Sequence, residues 1–133
     1  MNDADRSLLR ALRNALLHLH KTLIDWQRAD YELDHGPMAA TQLLQVIFND
    51  NAFAWLRSMS GLIVAIDEAL AAKPAESPSA GPFVAQARDL AAPAAGTPYA
   101  ERYQAALQEV PDAVLAHRDL VTLLKLQSPS ASA

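Results

Sequence analysis

The chain has 133 residues, of which 51% are hydrophobic, and its 11 Lys and Arg against 15 Asp and Glu give a formal net charge of -4. This length fits one domain with one core, and the absence of Cys excludes disulfides and thiolate metal ligands. Residues 1–66 carry six basic and seven acidic side chains and residues 67–133 carry five and eight, so neither half offers the basic surface that nucleic-acid binding requires.

The first predicted element is a long helix over residues 4–34, with Asp3 or Asp5 as its N-cap and Gly36 and Pro37 as its stop signal. Positions three and four apart align on one side of a helix. The positions in this stripe are Leu9, Leu12, Leu16, Leu19, Leu23, Trp26, Asp30 and Leu33. Only Asp30 interrupts an apolar seam.

Two further helices are predicted in residues 38–73. The first, over residues 38–50, is short and amphipathic, and Asp50 can cap the second, which runs from residue 51 to about residue 73. Gly61 costs about 1 kcal/mol relative to Ala within a helix, which suggests that another backbone approaches it closely. The direction of the short helix relative to the next one stays open.

Residues 74–98 hold five of the eight prolines and form a connection. Within it, PFVAQARDLAA can form a short helix that begins at Pro82, although a loop with one anchored turn is the preferred interpretation. The last segment, from residue 99, repeats the seam through Tyr103, Val114 and His117. Pro111 predicts a kink or a brief break near Val110.

These elements predict an all-α fold, since no segment shows the alternation of a β-hairpin. The spacing favours an antiparallel four-helix bundle with left-handed, coiled-coil-like packing and a short extra helix in the Pro-rich connection. We expect residues 1–127 to form one domain and residues 128–133 to be a disordered tail. The polar start of the chain and its short apolar runs predict a soluble, cytoplasmic protein with no membrane segment.

The stretch FAWLRSMSGLIVAIDEAL, residues 53–70, resembles a family of small uncharacterised bacterial helical proteins. YELDHG before it and YAERYQAALQEVPDAVLAH after it extend the resemblance over residues 8–118. Ser58 stands where that family has a proline after the arginine. The resemblance implies a helical fold and supplies no function.

Asp30 is the most informative polar residue, because a buried carboxylate without a partner costs several kcal/mol. The segment DWQRADYELDHG also ends its helix with acids, which the helix dipole disfavours. One hypothesis pairs these acids with Arg102 or Arg57 and with the amino end of the helix that starts near Tyr99. The alternative is a small polar-ligand pocket at one end of the bundle. That pocket would be lined by Asp30, Tyr31, Trp55, Arg57 and Tyr103.

Two histidines are weak candidates for a metal site. If the first and last helices are antiparallel, His20 and His117 come level and can meet a carboxylate, but the Glu-x-x-His pairs of helical metal sites are missing. The preferred interpretation is a core histidine bound to a neighbour, which would weaken the bundle below about pH 6.

No constellation in the sequence predicts catalysis. There is no phosphate loop, HExxH or GxSxG motif, and the arginines at positions 6, 10 and 13 are interpreted as a solvated face. We therefore expect a non-enzymatic protein without a cofactor that acts through self-association, as a homodimer, or through a protein partner. The alternatives are a metal-dependent enzyme using His20 and His117, and a small-ligand sensor using Asp30 and Arg57.

Overall fold

A computed structural model describes residues 2–73, 76 and 79–127. These residues are all-helical, with six α-helices, one 3₁₀ helix and no strand among them. The expected tail at 128–133 lies outside the described residues. No helix in the described part is both long enough and apolar enough to cross a membrane.

The first helix, α1, spans Asp3–His35. Its N-cap is Asn2, whose Oδ1 accepts a hydrogen bond from the Asp5 amide at 2.8 Å, so neither predicted aspartate serves as the cap. The helix ends at Gly36, whose φ of 80° is available to glycine and strained for other residues. Sequence signals therefore place both ends of α1 within about one residue.

The core face of α1 follows the predicted stripe through Leu23 and then departs from it. The five leucines of the stripe, Leu9, Leu12, Leu16, Leu19 and Leu23, are fully buried. Asp30 and Leu33 are exposed, and Gln27 is buried in their place. A strict seven-residue stripe rotates by about 20° per heptad on a straight helix, so three heptads turn it by about 60° away from the core. The prediction that Asp30 lies on the seam is therefore wrong.

The second helix, α2, spans Ala40–Asn49 and has no buried residue. Asp50 then caps a 3₁₀ helix, Asn51–Leu56, by accepting a hydrogen bond from the Ala52 amide at 2.8 Å. The third α-helix, α3, continues over Arg57–Ala71, so the single helix predicted for residues 51–73 begins in tighter 3₁₀ form. A Cβ built on Gly61 would meet nothing within 4 Å, so no backbone approaches it closely.

The Pro-rich connection contains a full helix, α4, over Gly81–Ala91, with Pro82 in its first turn. Phe83, Val84, Ala87 and Ala91 are buried on it. The preferred interpretation, a loop with one anchored turn, is therefore wrong. The helix packs against α3 and α6 and contributes to the core.

The last segment divides into α5, Pro98–Glu109, and α6, Pro111–Leu126. Val110 between them is extended, with φ of -122° and ψ of 108°, which confirms a break at the predicted position. The buried residues of α6 are Ala113, Ala116, Leu120 and Leu124. The core positions in the first half of α6 are Ala113 and Ala116, each one residue before the predicted Val114 and His117. The prediction is wrong there because it selected the larger residue of each pair, and the core takes the smaller alanines.

Helix α1 packs against α3 on one side and α6 on another. Its side chains meet α3 and the 3₁₀ helix in the reverse order of the chain: Arg6 contacts Leu70, Arg13 contacts Asp67, and Gln27 contacts Trp55. The Arg13 Nε and Asp67 Oδ1 atoms lie 2.6 Å apart, and Arg6 donates to the Leu70 carbonyl near the end of α3. These two arginines hold α3 and are not a solvated face.

Candidate functional site

A cleft of about 530 Å³ opens at one end of the molecule, where the last turns of α1 meet the 3₁₀ helix and the start of α5. Its volume lies within the range of about 300–1,000 Å³ that is typical of small-molecule sites. The residues that line it are Gln27, Asp30, Asn51, Ala52, Ala54, Trp55, Pro98, Tyr99 and Arg102. The cleft combines an aromatic wall with one acidic and one basic side chain.

Gln27 is the buried polar anchor of this cleft, with only 3% of its surface exposed. Its Oε1 accepts two hydrogen bonds, from Trp55 Nε1 and from Arg102 Nη2, each at 2.8 Å. Because both partners are obligatory donors, the amide oxygen must face them, and no described residue accepts from the amide nitrogen. One side chain thus joins α1, the 3₁₀ helix and α5.

The Arg102 guanidinium is fixed on two sides. Its central carbon lies 4.4 Å from the ring centre of Trp26, a cation–π contact, and Nη2 is bonded to Gln27. The same Nη2 lies 3.5 Å from Asp30 Oδ2, a long contact in which the Asp30 side chain is 55% exposed. Asp30 is therefore a loosely held partner of a firmly held cation.

A row of rings runs from the cleft into the core. Trp26 meets Trp55 edge to face at 6.1 Å, Trp55 and Tyr99 lie 5.9 Å apart, and Tyr99 stacks on Tyr103 at 5.5 Å. The Tyr99 hydroxyl donates to the Leu90 carbonyl at 2.7 Å, and burial raises the pKa of this phenol. Tyr99 therefore lines the cleft, while its hydroxyl is bound to the backbone of α4.

Tyr103 ends this row beside His117. Its Oη lies 2.7 Å from His117 Nδ1, and the two rings meet edge to face. Burial raises the pKa of the Tyr103 phenol and lowers the pKa of His117. The two side chains share one hydrogen bond, whose donor is set by the tautomer of the imidazole.

The structure brings together two of the five residues predicted for the ligand pocket. Asp30 and Trp55 line the cleft. Tyr31 instead stacks on His35, Tyr103 is fully buried beside His117, and Arg57 lies away from the cleft, where it donates to the Asp50 carbonyl at 2.9 Å. The cleft therefore contains two residues of the predicted lining and lacks the other three.

Heptad spacing leaves Gln27 out of the predicted site, and the charge pattern gives Arg102 only as an ion-pair partner. The available signal was spacing: Gln27 follows Leu23 by four residues and lies 18 residues, five full turns, after Leu9. A 3.6-residue period therefore places it on the core face, whereas a 3.5-residue period selects Trp26.

Two of the four acids at the end of α1 pair within their own helix. Lys21 Nζ lies 3.0 Å from Asp25, and Arg28 Nε lies 3.5 Å from Glu32. Glu32 also accepts from the Met38 amide at 2.8 Å. The expected pairing with a later helix holds for Asp30 and Arg102 and not for the segment as a whole.

His20 and His117 do not form a metal site with a carboxylate. His20 lies in a groove between α1 and α2, whereas Tyr103 faces His117. Within the described ranges, no group of three or more His, Asp or Glu side chains is placed to hold a metal ion. Burial lowers the pKa of His20 as it does that of His117.

The groove beside α2 is a second surface feature, with a volume of about 330 Å³. Leu44 and Phe48 of α2 form one edge and are 57% and 72% exposed, while Ile24 and Leu56 contribute to its apolar lining. The sequence of α2, ATQLLQVIFN, contains no charged residue. Isolated exposed apolar side chains are ordinary, but an uncharged helix that exposes two large ones beside a groove is not.

Comparison of the chain with protein-family models, curated proteins and solved structures finds no match. The resemblance of residues 53–70 to a bacterial helical family thus gains no support from a family model.

Proposed function

We propose that this chain is a non-enzymatic helical protein that binds a small polar ligand in the cleft between α1, the 3₁₀ helix and α5. The observation that carries the proposal is the buried Gln27 amide, which fixes Arg102 and Trp55 at the cleft wall with two hydrogen bonds of 2.8 Å. A fixed cation, a free amide donor and an aromatic wall are the elements that orient a polar ligand.

We further propose an antiparallel four-helix bundle with left-handed packing as the frame of this site. The reversed order of contacts between α1 and α3 supports the proposal, as do the contacts of Asp30 with Arg102 and of Trp26 with Glu109. In this arrangement, the end of α1 and the start of α5 lie at the same end of the bundle. The cleft is then an end-pocket formed by facing helices.

A thermal-shift screen with small polar metabolites tests the ligand proposal. A true ligand raises the melting temperature of the wild type and of Arg118→Gln, which removes an exposed arginine from α6. The same compound should not change the melting temperature of Arg102→Gln. Ala54→Phe provides a second loss-of-binding variant, because it adds a large side chain to the cleft from an exposed position and leaves Gln27 and Arg102 in the sequence. If no compound depends on Arg102 and on the open cleft, the proposal fails.

A second candidate function is self-association through α2, favoured by the exposure of Leu44 and Phe48 on an uncharged helix. The occupant proposed for the groove is a second copy of the chain. Phe48 lies on the same face as the groove. In a dimer with two-fold symmetry, Phe48 of each copy can therefore enter the groove of the other copy. No charges on α2 oppose this contact.

Sedimentation velocity tests the self-association proposal. The wild type and Leu115→Lys, a control on the exposed side of α6, should sediment as dimers at tens of micromolar, whereas Phe48→Lys should sediment as a monomer. Phe48 is exposed, so its replacement leaves the fold intact. A monomeric wild type at high micromolar concentration would refute the proposal.

A further inference from the structure

The cleft presents one positive and one negative group at a separation that few ligands match. Arg102 Nη2 and Asp30 Oδ2 lie 3.5 Å apart at the cleft wall. An anionic ligand that reaches Arg102 meets the Asp30 carboxylate, and a cationic ligand that reaches Asp30 meets the guanidinium. A ligand with a single charge is therefore opposed by one of the two groups.

Arg102 has hydrogen-bond donors that no described residue uses. Both polar contacts of Arg102 use Nη2, and among the described residues no other group takes a hydrogen bond from its Nη1 and Nε. Each pair of parallel N–H groups on a guanidinium includes Nη2, so a carboxylate binds Arg102 through one hydrogen bond to Nη1 or Nε, or through two when it takes the Nη2 hydrogen that faces Asp30. Gln27 lines the same wall, and no described residue accepts a hydrogen bond from its amide nitrogen.

The negative group is weakly held. The contact of Asp30 with Arg102 is longer than a normal hydrogen bond, and such half-exposed pairs contribute little stability. A ligand that offers an ammonium group can take the Asp30 carboxylate at little cost to the fold. The remaining wall contains the polar Asn51 and an apolar part, Trp55 with Tyr99 and Pro98, which suits a hydrocarbon or aromatic group.

We propose that the ligand is a free α-amino acid with an apolar side chain, whose carboxylate binds Arg102, whose ammonium binds Asp30 and whose side chain packs on Trp55 and Tyr99. This inference rests on the proposed ligand-binding function. The zwitterion satisfies both charges at once, and its carboxylate and ammonium groups lie on one carbon, as the short distance between Asp30 and Arg102 requires. Its zero net charge leaves no excess charge in the cleft.

The test starts with the twenty protein amino acids as probes in the thermal-shift assay, followed by isothermal titration calorimetry of the strongest binder. Two analogues of that binder are then titrated, the acid without its amino group and the amine without its carboxylate. For phenylalanine these are 3-phenylpropionate and 2-phenylethylamine. Each should bind about ten- to a hundredfold more weakly than the amino acid, as expected for the loss of one charged hydrogen-bonding group.

Asp30→Asn provides the sharper readout. It should weaken amino-acid binding about tenfold or more and reverse the preference, so that the deaminated acid gains affinity when the repelling carboxylate is removed. Asp34→Asn, an exposed carboxylate later on α1 that does not line the cleft, should bind all three probes like the wild type. Both changes lie at exposed positions, so folding is retained.

The outcomes separate this inference from the function on which it rests. If no amino acid binds, or if the deaminated acid binds as well as the amino acid, the inference is overturned. The ligand-binding function still stands when another compound from the metabolite screen binds in a manner that depends on Arg102. If no compound binds at all, both are overturned.

Discussion

Gln27 Oε1 lies 2.8 Å from Arg102 Nη2 and 2.8 Å from Trp55 Nε1, so one buried oxygen satisfies donors from two other elements. Replacement of Gln27 by Leu keeps the volume but leaves both donors without this acceptor. We expect Gln27→Leu to lower the free energy of unfolding by about 1–3 kcal/mol, the usual cost of unsatisfied buried polar groups. Urea denaturation followed by circular dichroism measures the loss.

Gln104→Leu is the matched control, since Gln104 is exposed on α5. Its effect should stay within about 0.5 kcal/mol. A Gln27→Leu protein as stable as this control would show that the amide does not hold the cleft wall together.

The Tyr103–His117 pair predicts a loss of stability in mild acid. Burial lowers the pKa of His117 below its ordinary value of 6.5, so the unfolded chain binds protons more readily than the folded one. Stability is therefore complete above pH 6.5 and falls as the pH drops toward the lowered pKa of the folded state. In the protonated imidazole Nδ1 can only donate, so the Tyr103 oxygen must then be the acceptor.

Free energies of unfolding at about pH 7.5 and about pH 5.5, on either side of the ordinary histidine pKa, test this expectation. Burial lowers the pKa of His20 in the same direction, so His117→Gln should reduce the acid loss and the double variant with His20→Gln should reduce it further. The control His18→Gln removes an exposed imidazole. Equal pH dependence in the wild type and the double variant would contradict the expectation.

Local sequence signals predicted much of the helical framework. The extent of α1, the Asp50 cap and the break at Val110 follow from capping and proline chemistry, which act within one turn. The shift of the buried face of α1 after Leu23 could not be predicted from heptad spacing. A stripe of residues seven apart drifts around a straight helix and so leaves the face that packs on the core. That drift placed Asp30 in the core and left Gln27 out of the predicted site.

The wall of the cleft illustrates a second limit. Arg102 and Trp55 meet Gln27 across 75 and 28 residues of sequence, and such separations depend on which helices pack together. The exposure of α2 could not be predicted from its sequence either. Its apolar pattern predicts a buried face, but none of its residues is buried in the described structure. Periodicity reveals an apolar face but does not identify what covers it.

The small residues of α6 predict a test of the packing itself. Hydrophobicity favours Val114 as a core position, yet Val114 is 45% exposed while Ala116 is buried against the core. Ala116→Leu should therefore lower the free energy of unfolding by about 1–3 kcal/mol through overpacking. Val114→Leu should change it by less than about 0.5 kcal/mol. If urea denaturation showed a larger loss for Val114→Leu than for Ala116→Leu, Val114 and not Ala116 would be the core position, as the sequence predicts.

Two glycines should respond in opposite directions to replacement by alanine. Gly61 lies on the exposed face of α3 with open space where a methyl group would lie, so Gly61→Ala should raise the free energy of unfolding by about 0.5–1 kcal/mol by restricting the unfolded chain. Gly36 has φ of 80° and ψ of 170°, a conformation that belongs almost entirely to glycine. Gly36→Ala should therefore lower the same quantity by about 1–3 kcal/mol, although its methyl group would also meet nothing within 4 Å. Because steric space is equal at the two positions, a difference of sign in parallel urea titrations isolates the backbone conformation as the cause, and equal effects would contradict it.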